Sequence, residues 1–176
     1  SYFNLKAFME NTEVWVIPTY NPEGLRMVHG YYENNQLFHD TSYRKNKRDV
    51  NENGIVDYVI GVGNDLDGVD LNRNYDFNWI FGDAIGQTDG GCSANPSYIA
   101  NYDYYRGSEP FSESENQAIR DFVLENDFLL SIAYHSSRSG CVSEKVIYPW
   151  LWDGEKLSPD YPVIASLGEQ IAELIP

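Results

Sequence analysis

The chain has 176 residues, a length typical of one domain, and its 12 Lys and Arg against 27 Asp and Glu give a net charge of −15. A chain with this much negative charge repels phosphate backbones and anionic lipids. Neither nucleic acid nor a membrane surface is therefore an expected partner. A hydrophobic fraction of 42% and an aromatic fraction of 15% exclude a disordered chain. No apolar run approaches the roughly 20 residues that a membrane-spanning helix needs.

Helical and strand-like patterns alternate along the sequence. Residues 2–9 predict the end of a helix, and residues 13–18 (EVWVIP) predict a buried strand that ends at a proline. The polar segment from Asn21 to about Asp67 has little periodicity and is expected to be irregular. In the second half of the chain, three segments are predicted: a helix from a capping box at Ser112 and Glu115 to about Glu125, a central parallel strand over residues 128–134 (FLLSIAY), and a helix over residues 162–175.

This alternation predicts an α/β fold with helices on both faces of the sheet, in a single domain over residues 1–176. In such sheets ligands gather at the carboxyl ends of the strands. His135 and Ser136 directly follow the second predicted strand, and they are therefore placed at that edge.

Two short runs could bind an anion. The run from Tyr43 to Arg48 holds four of the twelve basic residues, and it is either a solvated loop or an oxyanion site, since a guanidinium offers a fixed fork of donors. In the run from Asp70 to Tyr75, Arg73 stands between two asparagines. That run is either a carboxylate clamp or an Asn-rich turn capped by its own side chains.

His135 is a candidate metal ligand or base, although a single histidine is more often structural. Ser136 beside it suggests a serine hydrolase, but the sequence has no G-x-S-x-G motif, and we reject that interpretation. Cys92 and Cys141 lie 49 residues apart without a CxxC motif. They are either two buried thiols or one disulfide.

The segment from Asp49 to Asp57 has the pattern of an incomplete calcium-binding loop. Oxygen-bearing side chains stand at positions 1, 3, 5 and 9, glycine stands at position 6, and position 7 offers a backbone carbonyl. The bidentate Glu of position 12 is replaced by Ile60. The segment is either a calcium site or an Asn-rich turn, and the predicted ligands are Asp49, Asn51, Asn53, Ile55 and Asp57.

The order of these motifs resembles that of a known enzyme family. They are Asn21-Pro22-Glu23-Gly24, the YRKNKR run, GVDLNRNYDFNW from Gly68 to Trp79, Tyr105-Arg106-Gly107, Phe111-Ser112-Glu113, His135-Ser136 and Ile147-Tyr148-Pro149. This order is similar to that of the zinc metallocarboxypeptidases of the carboxypeptidase A, B and T kind. The bacterial carboxypeptidase T branch, which also binds calcium, resembles it most.

The resemblance implies a role for each matching residue. His135 matches the third zinc ligand, and Arg44 matches the residue that polarises the scissile carbonyl. Asn72 and Arg73 match the pair that holds the substrate's terminal carboxylate. Asp70 matches a carboxylate that orients a zinc-binding histidine, and Ser136 matches a subsite residue. The chain departs from the family at Tyr43, Ser137 and Trp150-Leu151, where the family often has Trp, Tyr and Gly.

The resemblance also implies a fold, cofactors and partners. The fold is a three-layer, mixed but mostly parallel sheet with helices on both faces. Zn²⁺ is expected, Ca²⁺ is a further candidate, and the substrates are the C-termini of peptides or proteins. The protein is expected to be secreted or periplasmic, and monomeric.

A catalytic zinc needs three protein ligands, two of which the family takes from an H-x-x-E motif. This sequence lacks that motif, and His29 and Glu33, spaced H-x-x-x-E, are not expected to replace it. The family's general-base Glu and mobile Tyr are expected beyond Pro176. We therefore expect the central fragment of a catalytic domain, inactive by itself. The alternatives are a degenerate carboxypeptidase-like protein and a calcium-dependent binding module.

Overall fold

The computed structural model describes residues 5–41, 43–57, 67–77, 79, 105–135, 146–149, 151–152 and 156–175. They fall into two units, one from Ser1 to Tyr134 and the other from His135 to Pro176. None of the described helices is long and apolar enough to cross a bilayer.

The first unit begins with two short helices. Helix α1 spans Leu5–Asn11, which confirms the helix predicted near the start of the chain. Helix α2 spans Pro22–His29, and Asn21 caps it by accepting a hydrogen bond from the backbone N–H of Gly24 at 2.8 Å. A cap residue followed by proline at the first position is a strong helix-start signal.

A two-stranded antiparallel hairpin follows α2. Strand β1 spans Tyr31–Glu33 and strand β2 spans Gln36–Phe38. The two turn residues, Asn34 and Asn35, both have positive φ, as a tight hairpin turn requires. The prediction of an irregular segment from Asn21 onward is therefore wrong over its first third, because α2 and the hairpin are too short to produce a visible periodicity.

Helix α3 spans Ser114–Glu125, close to its predicted bounds. The predicted capping box is wrong. The cap position is Glu113, and no side chain caps the helix there. Ser112 donates instead to the Glu113 carboxylate at 2.8 Å, and Glu115 accepts from the neighbouring Ser114 hydroxyl at 3.0 Å. Neighbouring side chains thus take the groups that the capping box would use.

The two predicted central strands are not strands in the part of the chain that the structure describes. In residues 13–18 the ring of Trp15 packs edge-on against Phe122 of α3, with centroids 5.3 Å apart, yet the Trp15 residue is 55% exposed. In residues 129–134 the apolar side chains are also exposed, Leu129 completely, whereas Phe128 is half-buried. A strand forms only where a neighbouring backbone pairs with it, and the described sheets are the two hairpins alone.

The second unit contains a short antiparallel pair and one helix. Strands β3 (Leu151–Trp152) and β4 (Lys156–Leu157) pair with each other, and helix α4 spans Tyr161–Ala172, near the predicted helix. The rings of Tyr148 and Tyr161 lie 6.0 Å apart. The hydrogen bond between these two tyrosines raises the pKa of Tyr148.

Burial in the described part of the first unit is mainly polar. The buried large apolar residues there are Met27, Phe38, Val69 and Leu71. The buried polar residues of the same unit are Lys45, Asn46, Asp67, Asp70, Asn74, Glu113 and Asn116. Buried polar groups must be hydrogen-bonded, so the positions of these side chains are set by their partners.

Candidate functional site

The segment that carries Arg44 runs beside the segment that begins at Asp67. The Asn46 N–H donates to the carbonyl of Val69 at 3.0 Å, and the Gly68 N–H donates to the carbonyl of Arg48 at 2.7 Å. Gly68 has φ of +84°, and a Cβ there would lie 2.4 Å from the Asn46 carbonyl oxygen. Only glycine permits this approach, so the G-V-D sequence is what brings Asp70 beside Arg44.

Asp70 and Arg44 form an ion pair. The distance from Asp70 Oδ2 to Arg44 Nη2 is 2.8 Å, and the two side chains are 3% and 20% exposed. Little solvent screens a pair at this depth, so the guanidinium is held strongly at one place. The sequence predicted separate roles for these two residues, and the structure brings them into direct contact.

The predicted carboxylate clamp lies on one turn of 3-10 helix, Leu71–Arg73. Asp70 caps this turn, because its Oδ1 accepts from the Asn72 N–H at 3.1 Å and its carbonyl accepts from the Arg73 N–H at 2.8 Å. Asn72 is exposed and Arg73 is half-buried. Both side chains of the predicted clamp are therefore accessible to a ligand.

Asn74 fixes the end of this turn. Its amide nitrogen donates to the carbonyls of Arg106 and Glu109 and to the hydroxyl of Ser112, at 2.9, 3.1 and 2.8 Å. Its Oδ1 accepts from the Glu113 N–H at 3.1 Å. Gly107 makes room for this amide, because a Cβ on Gly107 would lie 2.6 Å from the Asn74 nitrogen.

Glu113 connects the segment that carries Arg44 to the segment that carries Asn74. Its Oε2 accepts from the Asn46 amide at 2.6 Å, and its Oε1 accepts from Ser112. Asn46 Oδ1 in turn accepts from the N–H groups of Val69 and Arg48. We call Asn46, Asn74, Ser112 and Glu113 the buried amide network.

The function of this network is not visible in the sequence, where Asn46 stands inside the basic run and Ser112 belongs to the predicted capping box with Glu115. The sequence signal for these close contacts is the pair of glycines, Gly68 and Gly107, each of which belongs to one of the motifs.

Two tyrosine hydroxyls meet at the edge of this network. Tyr75 directly follows Asn74 of the network, and the hydroxyl oxygens of Tyr75 and Tyr20 lie 2.9 Å apart. Burial, together with the hydrogen bond to Tyr75, raises the pKa of Tyr20. Tyr20 therefore stays protonated in the folded state above the pH at which a free tyrosine ionises.

The segment Asp49–Asp57, which we call the Asp49 loop, curls around its own carboxylate. The two oxygens of Asp49 accept from the N–H groups of Asn53 and Gly54, at 3.2 and 2.7 Å. Asn51 and Asn53 each donate their amide nitrogen to Asp57 Oδ2, at 2.6 and 2.8 Å. The side chains predicted to bind calcium thus lie close together.

Asp67 supports both ends of the loop. Its oxygens accept from the N–H groups of Val50 and Asp57 at 2.8 and 2.6 Å, and its carbonyl accepts from the buried ammonium of Lys45. Asp67 therefore holds the two ends of the Asp49 loop together.

No zinc site can be built from the part of the chain that the structure describes. His135 is exposed, and no three His, Cys, Asp or Glu side chains among the described residues converge as a metal-binding group. The residues present there do not fit a catalytic zinc, which needs three protein ligands. Ser136, Cys92 and Cys141 lie outside the described residues.

Comparison with known proteins gives the family. The model of the zinc carboxypeptidase family matches residues 3–176. Carboxypeptidase B of Astacus astacus is 31% identical over 144 residues, which are 81% of this chain and 36% of that protein. Carboxypeptidase B of Helicoverpa zea is 30% identical, and zinc carboxypeptidase A 1 of Anopheles gambiae is 28% identical; the matches cover 92% and 94% of this chain and 30% of each relative.

The chain spans about a third of the length of these curated relatives. No solved structure matches it with statistical significance. A family match over nearly all residues nonetheless includes every segment described above, and the chain belongs to the zinc carboxypeptidase family, whose fold is of the α/β class.

Proposed function

We propose that this chain holds the C-terminal carboxylate of a peptide, as part of a protein that hydrolyses C-terminal residues from peptides and proteins. The observation that carries the proposal is Asp70, which joins the Arg44 guanidinium to the turn bearing Asn72 and Arg73. An exopeptidase of this kind needs a cation for the terminal carboxylate and a donor for the oxygen of the scissile carbonyl. One connected piece of structure carries both.

In this proposal Arg73 pairs with the terminal carboxylate through its forked N–H groups, and Asn72 adds a neutral donor. Arg44 donates to the carbonyl oxygen, which becomes more negative as the carbonyl is attacked. Ser136 is proposed as a subsite residue and His135 as one ligand of Zn²⁺. The chain alone is proposed to be inactive, since it lacks the H-x-x-E motif. The proposal is completed by a secreted or periplasmic monomer of the carboxypeptidase T branch, in which residues 1–176 are the central part of one catalytic domain.

The test is a binding titration. The ¹⁵N-labelled chain is titrated with N-acetyl-Gly-Phe and with the same dipeptide carrying a C-terminal amide, and the shifts of the backbone amides of residues 70–75 are followed by NMR. We expect saturable shifts with the free acid and none with the amide, because only the acid carries the charge that Arg73 recognises.

Two variants of equal charge sharpen the titration. Arg73→Ala is expected to abolish binding of the acid, whereas Arg120→Ala, on the exposed face of α3, is expected to leave it unchanged. Equal affinity of wild type and Arg73→Ala, or equal binding of acid and amide, would contradict the proposal.

A second candidate function is a calcium-dependent binding module. The Asp49 loop favours it, because the loop is already closed around Asp49 and its amide side chains already meet at Asp57. Calcium would take carboxylate, amide and carbonyl oxygens of Asp49, Asn51, Asn53, Ile55 and Asp57.

Hydrogen exchange of the loop tests this candidate. Calcium is expected to slow exchange of the N–H groups of Asn53, Gly54 and Ile55, and Asp49→Asn is expected to remove that effect. Exchange that is the same in calcium and in chelator would count against the site. If calcium acts and no C-terminal carboxylate binds, the binding module replaces the peptidase as the favoured function.

A further inference from the structure

The Asp49 loop contains Asn53-Gly54, the only Asn-Gly pair in the sequence. In such a pair the backbone nitrogen of glycine can attack the side-chain carbon Cγ of asparagine and close a five-membered imide ring. Glycine favours this step because it has no Cβ beside the attacking nitrogen. Both residues are exposed, and a Cβ built on Gly54 would meet nothing within 4 Å in the described part of the chain beyond its neighbours in sequence. The loop therefore leaves space for the ring to close.

The nitrogen of Gly54 already has a proton acceptor. Its N–H donates to Asp49 Oδ2 at 2.7 Å. The other oxygen of the same carboxylate accepts from the Asn53 N–H at 3.2 Å, which holds Asp49 against the backbone of the reacting pair. An amide nitrogen attacks only as its proton leaves, and a carboxylate at hydrogen-bond distance is a general base for that proton.

The side-chain amide of Asn53 is also held by two groups of the loop. Its Oδ1 accepts from the backbone N–H of Ile55 at 2.9 Å. Attack on Cγ places negative charge on this oxygen, and an N–H that is already directed at it stabilises that charge. Its Nδ2, the nitrogen that must leave, donates to Asp57 Oδ2 at 2.8 Å. The attacking nitrogen, the carbonyl oxygen and the leaving nitrogen thus each have a partner within the loop.

We propose that Asn53 is a self-modification site, at which the folded loop converts asparagine into aspartate and isoaspartate. The Gly54 nitrogen forms a bond to Asn53 Cγ and gives its proton to Asp49. The bond from Cγ to Nδ2 breaks, the proton passes through water to Nδ2, and ammonia leaves. Water then opens the imide at either carbonyl, so the reaction needs no oxidant and no cofactor. It involves no ligand, and the inference does not depend on the proposed function.

The product changes the loop that makes it. Asn53 loses the nitrogen that donates to Asp57, and a new carboxylate faces the Asp57 carboxylate in its place. Like charges at that separation repel each other. Isoaspartate also adds one carbon to the backbone at position 53. Because the ammonia is lost to solvent, the loop opens once and does not close again.

The test compares the folded chain with the same chain unfolded in guanidinium chloride, both incubated at neutral pH. Mass spectrometry of the tryptic peptide 49–73 measures the exchange of NH₂ for OH, and fragmentation assigns it to Asn53. We expect conversion in the folded chain to be about threefold to tenfold faster, because the fold orients the reacting groups. Asn51, an exposed asparagine followed by Glu52, is the internal reference and should stay unconverted. Slower conversion of Asn53 in the folded chain overturns the inference, since the same hydrogen bonds would then protect the pair.

Two variants of equal charge test the role of Asp49. Asp49→Asn keeps an oxygen that accepts from Gly54 and removes the group that takes its proton. It is expected to slow conversion of Asn53 in the folded chain by about tenfold, less than a base contributes in an enzyme site because the loop is exposed. Asp76→Asn, at an exposed acid outside the loop, should leave the rate unchanged. Equal rates in the two variants overturn the inference. If Asp49→Asn does not fold, the comparison of folded and unfolded wild type decides.

The converted chain carries one more negative charge, so ion-exchange chromatography separates it from the unconverted chain. The N–H of Gly54 is expected to exchange with solvent severalfold faster in the converted chain, because the loop that holds it has opened. Equal exchange in the two forms would overturn the statement that the reaction opens the loop.

Discussion

Two regions of the first unit are built from the same residue types and use them in opposite ways. In the buried amide network, the side chains of Asn46 and Asn74 bind partners 23 to 67 residues away in the sequence, with Arg48, next but one to Asn46, as the exception. In the Asp49 loop, the side chains of Asp49, Asn51 and Asn53 bind partners only 2 to 6 residues away. The network is buried, whereas the loop is largely exposed.

The difference shows that composition alone does not tell a structural amide from a local turn. A buried amide with several partners cannot exchange them for water, so its loss leaves orphaned groups in the interior. An exposed amide exchanges its partner for water at little cost. Substitutions in the network should therefore lower the free energy of unfolding strongly. Substitutions in the loop should lower it only slightly in the absence of calcium.

The largest effect is expected at Asn74, which is fully buried. Asn74→Ala removes its four side-chain hydrogen bonds, and we expect the free energy of unfolding to fall by about 3–5 kcal/mol. Urea denaturation followed by tryptophan fluorescence measures the change. A loss below about 1 kcal/mol would contradict the distinction between the two regions, since a substitution in the network would then destabilise the fold no more than one in the loop.

Glu113 should come next. Glu113→Ala removes the acceptors of Asn46 and Ser112, and a loss of about 2–3 kcal/mol in the free energy of unfolding is expected from the same urea experiment. Glu109→Ala is the control, because Glu109 is an exposed acid on the same approach to α3. Equal losses for the two variants would show that Glu113 does not connect the segments as described.

The hydrogen-bonded pair of Tyr20 and Tyr75 should make stability depend on pH in the alkaline range. The folded state raises the pKa of Tyr20, so the folded state keeps a proton that the unfolded chain loses above about pH 10. This contribution to stability is complete below pH 10 and is lost as the pH rises further. Thermal melts of wild type and Tyr20→Phe between pH 8 and 11 should show a smaller alkaline loss in Tyr20→Phe. The exposed Tyr32→Phe should follow wild type, and identical curves for all three would show that the contact between Tyr20 and Tyr75 does not contribute to the pH dependence of stability.

The smallest effect is expected in the Asp49 loop. Asn51→Ala, in chelator, should change the free energy of unfolding by less than about 0.5 kcal/mol, because its partners within the loop are exposed. Urea denaturation in chelator is the measurement, and Asn46→Ala is the buried comparison. A loss in Asn51→Ala as large as in Asn46→Ala would remove the distinction between the two regions.

The sequence predicted the helices better than the strands. Helix α3 lies near its predicted bounds because its amphipathic pattern is local. Helix α2 and the hairpin had local signals too, the Asn-Pro start and the Asn-Asn turn, but the low periodicity of the whole segment obscured them. Residues 13–18 and 128–134 have the composition of strands, yet pairing depends on a neighbouring backbone that a composition pattern cannot supply.

For the site, the motifs predict the chemistry of Arg44, Asn72 and Arg73, and these residue roles stay predictions. The ion pair of Arg44 with Asp70 could not be read from the sequence. It depends on the close approach at Gly68, and so on the fold of two separate segments. The same holds for Glu113, whose local role as part of a cap is replaced by contacts with residues far along the chain.

The span of the buried amide network also sets an order of events during synthesis. Asn46 lies 67 residues before Glu113, the partner of its side-chain amide, and Asn74 lies 32 to 39 residues before its own partners. Such non-local contacts form late, because the entropy of closing the intervening chain must be offset first. A nascent chain that carries Arg44, Asn72 and Arg73 therefore cannot lock them in place until the start of α3 has emerged.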